Sequence, residues 1–251
     1  PLPPDAGSRS GDALVQEGAA PELPEIRLQT DGEAAVQTPT SAPAESPEPE
    51  EADSRLPLEL TGQDHPLTQR IRETFLKERG RKLIIASLKA SEPYIPYIRE
   101  QLEAQDMPLI LQYLPIVESN YVPQAVSRTG ATGIWQFMEN SMAPFLKKNP
   151  WFDERRDPWL STDAALAKLR DNLAMFGSWE IAIAAYNCGS GAMKSVIKRH
   201  PDMDFWQLAE GGYLKSQTTE YVPKLIAIAD IIENAAYYGA DDIAEAAAMS
   251  S

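Results

Sequence analysis

The chain predicts a mainly α-helical body, a bundle of short helices with at most one small hairpin. Apolar residues beyond position 65 recur at three- and four-residue spacings, and the breaks between these runs carry helix caps rather than strand turns. A change of composition marks where the body starts. Residues 1–57 hold ten prolines, twelve acids against three basic residues, and no aromatic side chain, so they lack the apolar surface that would offset ordering entropy. They read as a disordered, acidic, Pro-rich tail or linker, extended and self-repelling over 38–53. Residues 58–240 carry every aromatic residue and are long enough for one filled core. Residues 241–251 read as a short acidic tail.

In chain order, Leu67, Ile71 and Phe75 share one face of a first helix, and Ile84, Ile85 and Leu88 mark a second. Pro93 opens a third segment with Ile95, Ile98 and Leu102 at helical spacing. Pro108 suits the first turn of a helix running to Glu118, where its missing N–H would have had no partner. Pro115 should kink that helix just before the acid. The stretch Arg128-Thr129-Gly130-Ala131-Thr132-Gly133 is the expected irregular insertion or hairpin. Ser161, Thr162 and Asp163 offer an N-cap for a helix from Ala164 to Phe176, and Gly177 follows where a left-handed C-cap is wanted. Ser178 caps a helix from Trp179 to Asn187, ended by Gly189. Thr218 or Thr219 should cap the last long helix, which would put Pro223 in its first turn.

Charge and composition exclude several functions. The tail accounts for −9 of the net charge of −14, so −5 remains on the body, which is no nucleic-acid footprint. No apolar run approaches the roughly 18 residues of a membrane span. Cys188 is alone, so no intrachain disulfide can form. His65 and His200 sit in no metal or nucleophile motif, and neither metal nor cofactor is expected. The opening at Pro1 carries no export signal, which leaves open a leader or membrane anchor upstream.

Glu118 is the residue with the most chemical content. It follows Leu114, Pro115, Ile116 and Val117, and no Asp or Glu occurs from Ser119 through Met138. A carboxyl group in such surroundings is poorly solvated, which favours its neutral form and suits a general acid. Most glycosidases flank the scissile bond with two carboxylates. A lone one therefore implies either a substrate that supplies the second group or no enzyme at all.

Three ordered stretches surround this acid. They are Glu118-Ser119-Asn120-Tyr121, then Ser127 with Gly130-Ala131-Thr132-Gly133-Ile134-Trp135-Gln136-Phe137-Met138, then Ala185-Tyr186-Asn187-Cys188-Gly189. On these motifs the chain resembles the lytic transglycosylases with a lysozyme-like fold, the soluble lytic murein transglycosylase superfamily, from about His65 to Tyr238. Trp135 directly before Gln136, the run from Asp153 to Pro158, and Tyr221-Val222-Pro223-Lys224 are similar to the D-type membrane-bound branch.

The resemblance implies cleavage of the β-1,4 bond between N-acetylmuramic acid and N-acetylglucosamine in peptidoglycan strands, with Glu118 as sole acid and then base. A 1,6-anhydro ring would form in place of hydrolysis. It also implies substrate contacts from Ser127, Gln136, the Met138 backbone, Tyr186, Asn187 and Tyr221, and a periplasmic or cell-envelope location. Gly130 and Gly133 read as turn requirements. Ser119 reads equally as a helix-end bond or a groove contact. Of the tryptophans, Trp135 is expected near the groove, and Trp151, Trp159, Trp179 and Trp206 in the core. Relatives usually carry Glu-Thr-Arg where this chain has Gln217-Thr218-Thr219, and Ala at Cys188. Two alternatives remain: a peptidoglycan-binding scaffold with a feeble site, and a hydrolytic muramidase whose second carboxylate would be Asp153, Glu154 or Asp157.

Overall fold

The computed structural model describes residues 54–250. Its helices are α1 (Pro66–Phe75), α2 (Glu78–Ser91), α3 (Ile95–Ala104), α4 (Leu114–Ser119), α5 (Pro158–Phe176), α6 (Trp179–Cys188), α7 (Ser190–Arg199), α8 (Phe205–Glu210), α9 (Ser216–Glu233) and α10 (Asp241–Met249). Extended pairing among the described residues is limited to isolated bridges, Val126 with Thr132, Thr132 with Phe137, and Lys148 with Asp153. The mainly helical reading with one small hairpin is thus what the structure has.

Two helices form the axis of the core. In α6 every residue from Ile181 to Tyr186 is buried, and α9 is buried from Leu225 to Ile232. The α6 helix packs on α5 and α9, and α1 lies along α9. Burying each Ile or Leu of these rows stabilises the fold by about 1.5–3 kcal/mol. A polar group in these rows must therefore be fully bonded to be tolerated, and Asp230 of α9 is the case in point.

Several boundaries differ from the sequence reading, each for a local reason. The α5 helix starts at Pro158, ahead of the expected Ala164, because Asp157 caps it by accepting from the backbone N–H of Trp159 and Leu160. Ser161 and Thr162 lie inside the helix and return their hydroxyl protons to the carbonyls of Asp157 and Pro158. The α9 helix starts at Ser216, so Pro223 is an interior proline rather than a first-turn one. Thr218 is no cap either, since its hydroxyl donates to Asn187 Oδ1 at 3.0 Å. Pro108 and Pro115 do not share one kinked helix. A 3₁₀ turn from Leu109 to Tyr113 leads into α4, and Pro115 occupies its first turn.

The C-terminal segment is not a tail. Over Asp241–Met249 it is α10, with Ile243 and Ala246 buried and packed on α2, and Arg81 of α2 pairs with Asp242. At the other end, the tail expected over residues 1–57 lies outside the described residues as far as position 53. Residues 54–57 belong to the body: Arg55 bonds to Asp230 at 2.6 Å, and the Leu56 amide donates to Asn234 Oδ1 at 2.6 Å. The tryptophans also depart from expectation. Trp179 and Trp206 pack against the core, but Trp151 and Trp159 are 93% and 47% exposed, and Trp135 is fully enclosed.

Candidate active site

Glu118 ends up at the close of α4 because Asn120 and Tyr121 follow it with φ of +53° and +60°. Two successive left-handed residues reverse the chain, and for a bulky side chain such as Tyr121 that conformation is costly. It is held from outside: the Tyr121 hydroxyl donates to the Gln112 carbonyl, and Ser87 Oγ donates to Asn120 Oδ1 at 3.1 Å. Ser119 then donates to the Ile134 carbonyl at 2.9 Å, which ties the helix end to the returning hairpin. Of the two readings for Ser119, the structural bond is the one present.

The hairpin is narrow and strapped. The amides of Ser127 and Gly130 donate to the carbonyls of Ala131 and Ser127 at 2.8 and 2.9 Å, and Thr132 and Phe137 exchange backbone bonds at 3.0 and 3.1 Å. Gly133, with φ of +85°, lies so close to the 155–156 backbone that a Cβ would sit 1.7 Å from the Arg155 carbonyl oxygen. Buried Arg155 donates to the carbonyls of Gly130 and Phe137, each at 3.1 Å, while its other side pairs with Asp153 at 2.5 Å. Arg155 is thus a structural hook that sequence reasoning missed.

The carboxyl of Glu118 accepts a hydrogen bond from the Tyr221 hydroxyl of α9, 103 residues away. Burial pushes its pKa up to about 7, opposed by the Tyr221 bond and by the charges of Lys168 and Lys224. No other carboxylate acts on it among the described residues. The two lysines are pulled the other way, since burial lowers the pKa of each, opposed by Glu118 at Lys168 and by Glu220 and Glu118 at Lys224. Burial likewise lifts the Tyr186 and Tyr221 hydroxyls well above their ordinary range, aided by the negative charge of Glu118.

The remaining sequence-derived residues fall into two groups. Tyr186 is close to Glu118 and nearly enclosed. Its hydroxyl donates to the Trp135 carbonyl at 2.8 Å, and its ring meets Phe137 edge-on at 6.1 Å. Asn187 is half-buried beside α9 through Thr218. On the hairpin, Ser127 Oγ accepts from the Ala131 amide at 3.0 Å, and Gln136 Nε2 donates to the Gly133 carbonyl at 2.8 Å. Met138 opens the next turn, its carbonyl accepting from Ser141. None of Ser127, Gln136 or Met138 bonds directly to Glu118 among the described residues. The Trp135 indole is turned into the core, where Nε1 donates to Thr162 Oγ1 at 2.9 Å, so only its backbone serves this site.

The three carboxylates that could have served a hydrolase are engaged elsewhere. Asp153 is clamped by Arg155, Glu154 accepts from the Lys147 amide at 2.6 Å, and Asp157 caps α5. Among the described residues no group of three His, Cys, Asp or Glu side chains could hold a metal ion. No helix there is long and apolar enough to cross a membrane.

Comparison with known families places part of this helical body. Residues 96–209 match the family model for the transglycosylase SLT domain, so this part of the chain belongs to that family. Two relatives, from two strains of Escherichia coli, are each named membrane-bound lytic murein transglycosylase D. Each is 39% identical over 182 residues, covering 69% of this chain. The chain spans 39% of the length of these relatives.

Proposed function

We propose that this chain carries the catalytic site of a peptidoglycan lytic transglycosylase, cleaving the bond between N-acetylmuramic acid and N-acetylglucosamine with Glu118 as acid and then base. The reading rests on Glu118 having a pKa raised to about 7 with no second carboxylate acting on it among the described residues. A neutral carboxyl protonates the leaving oxygen. Once it is an anion, the Tyr221 hydroxyl and the charges of Lys168 and Lys224 stabilise it, and it then takes the proton of the muramoyl 6-hydroxyl as the 1,6-anhydro ring closes. Because the acceptor is intramolecular, its effective concentration can reach roughly 10⁵ M or more, and a water-activating partner is dispensable.

In this reading Ser127, Gln136, the Met138 backbone, Tyr186, Asn187 and Tyr221 contact the glycan, and the protein works in the cell envelope. Mass spectrometry of digested sacculi tests it: anhydromuropeptides are expected. Reducing ends would instead identify a hydrolase, and binding without soluble products a scaffold.

Tyr221→Phe probes the acid's environment. The lost hydrogen bond favoured the ionised form, so the pKa of Glu118 should rise further, and the limb of the kcat/KM profile that falls as Glu118 ionises should move to higher pH. The step that forms the anion, proton donation to the leaving oxygen, should slow by roughly tenfold or more, about the worth of one hydrogen bond to a charged group. An unmoved limb would separate that limb from Glu118.

A further inference from the structure

Lys168 of α5 has no role in the sequence reading, yet it is placed with care. Its ammonium lies 4.9 Å from the centre of the Tyr186 ring and 5.2 Å from that of Phe137, a two-ring cradle. Contacts of this kind attract a cation to the ring faces, the more so the further it is desolvated. The rings themselves are fixed, Tyr186 by its bond to the Trp135 carbonyl and Phe137 by the backbone pair with Thr132. Lys168 donates no hydrogen bond to a described residue, and the one anion acting on it is Glu118.

That single counter-charge has a consequence. While Glu118 is protonated, as its role as acid requires, the half-buried ammonium faces no anion. Lys224 of α9 acts on the same carboxyl but has Glu220 as a further counter-charge, so Lys168 is the cation left unbalanced. A partly desolvated cation without a partner is costly, and an incoming anion relieves that cost. The sign of this locus is also opposite to the chain's net charge of −14.

We propose that Lys168 recognises a carboxylate carried by the muramoyl unit at the cleaved bond, so that the site prefers anionic glycan strands over neutral ones. This rests on the groove being a glycan site, as proposed above. The muramoyl unit offers such a group in two forms. Its lactyl ether ends in a free carboxylate where no peptide is attached, and in an amide followed by the carboxylates of a peptide where one is.

Binding to Glu118→Gln provides the test, because that substitution stops turnover and mimics the neutral acid. The probes are a muramoyl tetrasaccharide with free lactyl carboxylates, its methyl ester, and a peptide-bearing form. The free-acid form is expected to bind about tenfold more tightly than the ester, a difference of about 1.4 kcal/mol. Adding Lys168→Met should erase the difference, and Lys168→Arg should preserve it. A preference for the peptide-bearing form alone, lost in Lys168→Met, would support the same recognition with the peptide as the source. Equal affinity for all three probes, or equal weakening of all three by Lys168→Met, would overturn the inference and leave the glycan reading standing. Failure of Glu118→Gln to bind any probe would remove both.

Discussion

Glu118→Gln is expected to lower glycan cleavage by at least about 10³-fold, since general acid and base steps together commonly contribute that much or more. The same substitution should make the folded protein more stable at alkaline pH. In the native state Glu118 keeps its proton until about pH 7, whereas the unfolded chain releases it near 4.5. Between those values the native state binds more protons, so stability falls as pH rises through the window. Above pH 7 the full cost stands, on the order of 3 kcal/mol. Gln carries no such burden. Urea melts should show variant and parent alike at pH 4 and the variant more stable at pH 8. Loss of activity with identical melts at both pH values would mean that Glu118 ionises normally. Retained anhydromuropeptide formation would displace it from the chemistry altogether.

Glu118 stands out in the sequence because of what is missing nearby, namely any Asp or Glu from Ser119 to Met138. Its partners were harder to find because they are made by packing. Tyr221 reaches Glu118 across 103 residues. Lys168 looks like one more surface lysine until α5 is seen beside Tyr186 and Phe137. Arg155 sits in a charged run that drew notice only for its carboxylates, yet its guanidinium holds two hairpin carbonyls.

The helices tell a similar story. Gly177 and Ser178 were legible as caps because a left-handed glycine and an N-cap serine each act within a few residues, and both are found in those roles. Strings of Ser and Thr at the starts of α5 and α9 misled because the hydroxyls serve other bonds. The α8 helix lacked a usable apolar period at six residues, although Asp204 and Gln207 form a capping box at its start. The C-terminal segment misled through its acids, while the burial of Ile243 and Ala246 depends on a groove that α2 supplies. Trp151 marks the opposite error: bulk suggested burial, but the Asn149 side chain accepts from the amides of Trp151 and Phe152 in a tight turn that leaves the indole in solvent.

Asp230→Ala should be the most damaging change away from the site. This fully enclosed carboxylate in α9 accepts from Arg55 at 2.6 Å, Arg72 at 2.6 Å, Gln63 at 2.8 Å, Tyr238 at 2.8 Å and Asn234 at 2.9 Å. Burial would raise its pKa, but bonds from Arg55, Gln63 and Tyr238 outweigh that and hold it below the ordinary value. Alanine strands Arg72 beside the Tyr238 ring without a counter-ion and leaves Arg55 only the exposed Asp64, and unpairing such a network costs about 3–5 kcal/mol. Against a typical total of about 5–15 kcal/mol, that is enough to unfold a modest domain near physiological temperature. The sign with pH is opposite to that of Glu118. A depressed carboxylate stabilises above its unfolded pKa of 3.8, and the benefit is lost as pH falls below that. Thermal unfolding at pH 7 and pH 3 should therefore show a large gap between parent and variant that narrows in acid. A constant gap would assign the loss to packing around α9, and no gap would mean that the strap at Arg55 and the start of α1 are held without this carboxylate.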